Sequence, residues 1–184
     1  MFEINSLILA TMKKSLFIIV IITIFFTNLV KGQANWGTYK IDSRVSVKFP
    51  SKPEQTDDEN FISASPDSAV VVSVMVLDFK KIANADSTQL AEMVKAPDFL
   101  QQFKGFLESR LSNIKFDDFK EGSWNNLKTF ETQAIQSNTV NKYHYLKFVL
   151  LGYTIYGMYV ISTSTSNNNL KTRDDFFSSF LSNK

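Results

Sequence analysis

Ala69-Val70-Val71-Val72-Ser73-Val74-Met75-Val76-Leu77-Asp78-Phe79 is the stretch that decides the fold. Side chains alternate across a strand, so Val70, Val72, Val74 and Val76 share one face, and Val71, Ser73, Met75 and Leu77 share the other. A half-buried strand would carry polar residues on one of these faces. Apolar residues on both call for an interior strand, covered from each side. Immediately downstream the period changes. Asp86-Ser87-Thr88-Gln89 places an N-cap Asp three residues before a Gln, the pattern of a capping box. Leu90, Met93 and Val94 follow at helical spacing, and Pro97 closes that helix or starts the next. From Asp98, Leu100, Phe103, Leu107 and Leu111 form an apolar stripe, with Phe99 and Phe106 beside it, predicting an amphipathic helix that ends near Asn113.

Upstream, Trp36–Ile41 and Val45–Phe49 read as short strands around the polar turn Asp42-Ser43-Arg44, and Pro50-Ser51-Lys52-Pro53 ends the second. Gln55–Asn60 reads as a charged loop, Phe61–Ala64 as a short strand, and Ser65-Pro66-Asp67-Ser68 as a turn. Past the helices, Ile114–Phe119, Leu127–Gln136, Lys142–Leu151 and Tyr153–Ser162 read as strands. The last two form a tight hairpin about Gly152. Ser162–Asn169 reads as a polar loop. Thr172-Arg173-Asp174-Asp175 reads as a capping box opening a final helix that carries Phe176, Phe177, Phe180 and Leu181. Strands, a helical pair, an antiparallel meander and a terminal helix make an α+β domain, with a central antiparallel β-sheet covered by helices.

The first 32 residues stand apart. Lys13 and Lys14 precede an uncharged run from Ser15 to Val30, centred on Leu16-Phe17-Ile18-Ile19-Val20-Ile21-Ile22. Those 16 residues rise about 24 Å as a helix, short of the ~30 Å hydrocarbon core. Val30 and Gly32 are small residues at −3 and −1 of a cleavage site before Gln33. Together these features predict a secretory signal peptide over residues 1–32 and a single domain over 33–184. The eleven residues before Met12 carry Glu3 and no basic residue, so translation is expected to start at Met12. An uncleaved membrane anchor is the competing reading. Either way the domain is exported, to the periplasm or beyond the cell.

Charge narrows the function classes. The chain has 20 Lys+Arg and 18 Asp+Glu, of which Lys13, Lys14, Lys31 and Glu3 fall in the leader, so the 152-residue body carries 17 of each sign. A neutral body argues against nucleic acid as a partner. With no Cys there is no disulfide framework, thiolate chemistry, zinc ribbon or lipidated cysteine. Glycine-rich phosphate loops, H-E-x-x-H and G-x-S-x-G patterns do not occur.

The order of elements and certain residues resemble the PsbP-like (Mog-type) fold of small exported bacterial proteins. The residues concerned are Trp36–Tyr39 in the opening strand, then Val45-Ser46-Val47-Lys48-Phe49-Pro50-Ser51-Lys52-Pro53-Glu54. The Val-rich strand, central helices, Tyr-rich hairpin and a terminal Phe-x-x-Phe, Phe177 to Phe180, complete the set. The resemblance implies a central antiparallel sheet sandwiched by helices. It implies no common chemistry, since members resemble photosystem accessory subunits, small-GTPase binders and proteins of unknown role.

Candidate site residues are few. His144, the single histidine, lies between Tyr143 and Tyr145. It reads as a sheet-face residue, with a general base or ligand role as the alternative. Asp57-Asp58-Glu59 has neither the alternation nor the glycine of a calcium loop and reads as solvated. Asp117-Asp118 and Asp174-Asp175 read the same way, the second pair also favouring the positive end of the helix it opens. Tyr143, Tyr145 and Tyr156 on the hairpin, with Trp124 near a turn, form the candidate binding surface, because Tyr and Trp combine an apolar body with a polar tip. No catalytic, cofactor or metal residue is assigned. The expectation is a non-enzymatic envelope accessory or binding domain whose partner is another envelope protein or a small ligand. Membrane contact is expected only if the leader is retained. The alternatives are a small-ligand enzyme or hydrolase using His144 with an acidic residue, and a membrane-anchored envelope scaffold.

Overall fold

The computed structural model describes residues 36–57, 59–111, 114–137 and 141–183. The leader lies outside them. Among the described residues no helix is long and apolar enough to cross a membrane.

Val70–Asp78 forms β5 and sits inside the main sheet, as its two apolar faces require. That sheet is antiparallel and seven-stranded. Its order is β3 (Glu54–Asp57), β4 (Asn60–Ala64), β5, β9 (Thr154–Ser162), β8 (Lys142–Leu151), β7 (Leu127–Gln136) and β6 (Lys120–Trp124). A second sheet holds β1 (Gly37–Lys40), β2 (Val45–Phe49) and β10 (Leu181–Ser182), with β2 in the middle. Among the described residues four helices complete the fold: α1 (Phe79–Ala83), α2 (Ser87–Met93), α3 (Phe99–Arg110) and α4 (Asn167–Ser178).

The alternation of β5 sorts the core into two clusters. On the first face Met75 and Leu77 join Ile155, Tyr159, Leu146 and Phe148, roofed by Leu90 of α2 and by Phe103 and Leu107 of α3. On the second face Val70, Val72, Val74 and Val76 join Tyr156, Met158 and Val160, roofed by Val45, Val47 and Phe49 of β2 and by Phe176 and Phe180. Helices on one side, with a helix and a small sheet on the other, make the expected α+β sandwich.

Local chemistry sets the boundaries. The Asp86 carboxylate accepts from the Gln89 amide at 2.8 Å while the Gln89 side chain accepts from the Asp86 amide, so the capping box is complete. The β6–β7 hairpin turns through Asn125 and Asn126, both at positive φ (48° and 65°), the backbone of a type I′ turn. Gly152, at φ +63°, opens the two-residue β8–β9 turn, which includes Tyr153.

Four sequence expectations are corrected. Phe79 does not end the strand; it opens α1, because Asp78 Oδ1 accepts from the amides of Lys80 (2.9 Å) and Lys81 (3.2 Å). The expected loop Gln55–Asn60 instead overlaps the polar edge strand β3, Glu54–Asp57, which pairs with β4. Residues 114–119 make only the bridge Phe116–Ala134, and the strand proper starts at Lys120. Here Ile114 and Phe116 turn into the core and Glu108 Oε1 accepts the Phe116 amide at 2.9 Å. Finally, α4 starts five residues before Thr172, at Asn167, capped by Ser166 Oγ, which accepts from the Asn169 amide at 3.3 Å. Asp174 and Asp175 therefore sit late in that helix, paired with Arg173 and Lys171.

Candidate functional site

The aromatic candidates all fall on the second face of the main sheet. Register pairs Tyr156 with Val149 and Tyr145 with Val160, so Tyr143, Tyr145 and Tyr156 point the same way, and Trp124 packs on the same cluster. They are not equally available. Tyr156 is fully buried, its ring edge-on to Phe180, so it is withdrawn from any binding surface. Tyr145 is 9% exposed, with the Arg173 guanidinium 4.7 Å from its ring centre. Trp124 is half-buried. Its Nε1 donates to the Phe180 carbonyl at 3.3 Å, and Lys147 Nζ lies 4.8 Å from its ring centre. Tyr143 is half-buried. Beside it the sheet emerges from cover: Glu131 and Gln133 on β7 are exposed, and Ile135 is 59% exposed. Lys147, itself buried, pairs with Glu131 at 3.1 Å. The open part of this face is thus a strip of Ile135, Tyr143, Gln133 and Glu131, with Arg173 and Lys147 packed on neighbouring rings.

Tyr156 has a different task. Its hydroxyl donates to Asp42 Oδ2 at 2.5 Å, joining the main sheet to the β1–β2 turn. The same carboxylate accepts from the amides of Arg44 (2.7 Å) and Val45 (2.9 Å), and Arg44 Nη2 reaches Thr154 Oγ1 at 2.7 Å. Burial raises the Asp42 carboxyl, but the Tyr156 hydroxyl, the two amides and the Arg44 charge together hold it below the usual range. Burial first, and then the bond to Asp42, push the Tyr156 phenol well above its ordinary value.

On the first face, His144 is 3% exposed. Its Nδ1 is 2.5 Å from the Tyr159 hydroxyl, and Nε2 is buried without a partner. Burial, with a smaller effect of Lys142, lowers the imidazole to about 4, so the ring is neutral at physiological pH. Tyr159 is held protonated by burial. The same tyrosine lines an apolar cleft under the C-terminal half of α3. Two rows of the sheet form its floor: Ile62, Ser73, Tyr159 and Leu146, then Asn60, Met75, Gly157 and Phe148, with Leu107 and Leu111 above. The cleft exists because Ser73 is small and residue 157 has no side chain. A Cβ at Gly157 would lie 3.0 Å from Phe148 Cε1 and 3.2 Å from Met75 Cε.

The hydrolase reading needs a carboxylate beside His144. The structure brings it to Tyr159 instead, and no ion pair to the ring occurs among the described residues. Asp57, from the acidic cluster, accepts from the Glu59 amide at 2.8 Å and from Asn60 Nδ2, a turn-closing role. Asp117 Oδ2 accepts from Gln133 Nε2, and Asp118 pairs with Lys104. Among the described residues no group of three acidic or His side chains is placed to hold a metal. The sequence reading missed Ile135, Asp42, Arg44 and the Tyr159–His144 contact. Ile135 was discoverable as an apolar residue on the polar side of an alternating strand. The others depend on strand register and on the docking of the small sheet, which no local pattern encodes.

No family model matches the chain, and no curated protein matches it in sequence. Solved structures do. The solution structure of PsbP from the cyanobacterium Synechocystis superposes with a TM-score of 0.51 at 10% identity, covering 86% of this chain and 99% of that one. The fold is PsbP-like. Among other structures similar to this chain, a Bacteroides thetaiotaomicron protein gives a TM-score of 0.49 at 9% identity, covering 84% of this chain, which spans 47% of that protein's chain. LpqN of Mycobacterium tuberculosis, a protein involved in cell envelope biogenesis, gives 0.43 at 11% identity, covering 85% of this chain and 83% of its own. At these identities the likeness concerns the PsbP-like fold alone.

Proposed function

We propose that the chain is an exported, non-enzymatic binding or accessory domain of the bacterial cell envelope, acting through the open strip of its second sheet face. The observation that carries this reading is Ile135. It is 59% exposed at the end of β7, beside the half-buried Tyr143 and just past the point where Arg173 of α4 packs on Tyr145. An exposed apolar residue among half-buried aromatics, rimmed by charge, is the composition of a protein contact. The leader supports export, because its basic start, apolar run and small residues before Gln33 suit a signal peptidase.

The test combines crosslinking in intact envelopes with surface variants. Ile135→Asp and Tyr143→Ala are expected to abolish an envelope crosslink seen with the unmodified protein while leaving circular dichroism unchanged. Persistence of every crosslink in both variants would reject this face. Export is checked separately by N-terminal sequencing: Gln33 as first residue supports cleavage, and Met12 supports a retained anchor.

A further inference from the structure

The buried imidazole of His144 has no part in the binding surface, yet its surroundings are unusual. Its Nε2 is the one buried side-chain nitrogen or oxygen without a partner among the described residues. The His144–Tyr159 couple holds two polar protons and makes one short hydrogen bond. If the phenol donates to Nδ1, the proton on Nε2 finds no acceptor. If Nδ1–H donates to the phenol oxygen, the hydroxyl proton is the orphan. Either tautomer leaves one buried donor unsatisfied, a cost tolerated only because the ring is neutral. A second ring proton would make both nitrogens donors and add a charge where nothing receives it.

The neighbourhood offers no compensation. On its own strand the charged group acting on the ring is Lys142, of like sign to an imidazolium. From β9 it meets the neutral Tyr159, and from β7 its register partner is Ala134. Of the charged side chains on α3 and just after it, Lys104 pairs with Asp118, Glu108 with Lys115, and Asp117 accepts from Gln133. Those of α2 and its end, Glu92 and Lys95, pair at the surface. The row Phe116, Ala134, His144 and Ile161 crosses the first face.

We propose that the His144–Tyr159 couple is a proton-operated latch, which at neutral pH keeps α3, whose Leu107 lines the same cleft as Tyr159, seated on the first face and releases it in mild acid. Release would bare the floor of the cleft that Tyr159 lines, including Met75, Leu146 and Phe148.

The sign follows from linkage. The folded ring titrates at about 4, below the ordinary 6.5 of the unfolded chain, so the unfolded or opened state takes the proton first. Stability is flat above about pH 7 and declines as pH falls from 6.5 toward 4. Between pH 7 and 5 the loss amounts to about 20-fold in the folding equilibrium constant. Asp42, Asp67, Glu108 and Asp118, all held low, keep their contributions until pH falls into the ordinary carboxylate range and below it, so the window from pH 7 to 5 reports mainly the histidine.

The experiment is urea unfolding of the purified protein at pH 7 and 5, with amide exchange across α3 at both values. His144→Phe/Tyr159→Phe removes both polar partners together, so no orphan is left behind. The unmodified protein should lose about 20-fold and exchange α3 amides by local opening at pH 5; the double variant should lose less than about threefold. Equal acid sensitivity in both, or α3 amides as protected at pH 5 as at pH 7, would overturn the latch. Should the double variant fail to fold, the ring-proton resonance of the single histidine decides alone. Titration near 4 supports the proposal, and titration near 6.5 ends it.

Discussion

Asp42 shows how one side chain joins two sheets. It lies in a turn of the small sheet, yet an acceptor oxygen is filled by Tyr156 from the centre of the main sheet. A hydrogen bond to a charged acceptor contributes about 1.5–3 kcal/mol net, toward the lower end where the carboxylate is partly exposed. Tyr156→Phe should therefore cost about 1–2 kcal/mol in urea denaturation at pH 7, with little change in circular dichroism. Because the Asp42 carboxyl is held low, the contribution of this bond is complete above the ordinary carboxylate range and is lost as pH falls through and below it. The gap between parent and variant should thus narrow near pH 3. A gap that stays constant down to that pH would mean the phenol acts by packing alone. Neither partner announces itself in the sequence, where Asp42 reads as a turn residue and Tyr156 as one tyrosine of several.

Elements were most legible where local chemistry and burial agree. The 69–79 stretch encodes its two-sided burial directly, and the Asp86–Gln89 box marks the start of α2 to the residue. Asp86→Ala should cost about 1 kcal/mol, read from the urea midpoint, since it removes one partner of a reciprocal cap. Legibility failed where a side chain works at a distance. Glu108 takes the Phe116 amide and diverts residues 114–116 from a strand into the core. Buried Asn169 donates to Ser162 Oγ and Ser164 Oγ, fixing the first turn of α4 to the end of β9, whereas its sequence setting resembles any polar loop. Edge strand β3 was invisible for a related reason: its residues face water, and only pairing with β4 defines it. Of the candidate surface, composition put its tyrosines on one shared face, because they alternate along the strands. It could not separate the buried Tyr156 from the half-open Tyr143, since that depends on where β2 and Phe180 dock.

At the scale of the molecule, the main sheet ends in β3 and β6, both polar and largely exposed. Charged, exposed edges discourage strand-to-strand association. Lys120→Val/Glu121→Val, on β6, should make the protein self-associate more than the unmodified chain in light scattering as concentration rises; an unchanged profile would show that the twist of the edge, and not its charge, protects it. The small sheet has another property. Its first and last strands flank the same β2, Gly37 opposite Phe49 and Ser182 opposite Val45. At strand spacings of about 4.8 Å and a rise of about 3.3 Å per residue, entry and exit of the domain lie roughly 16 Å apart. Such a unit can be spliced into a surface loop of a host protein, or have its ends joined and be reopened at a hairpin tip, without asking any strand to change its neighbours.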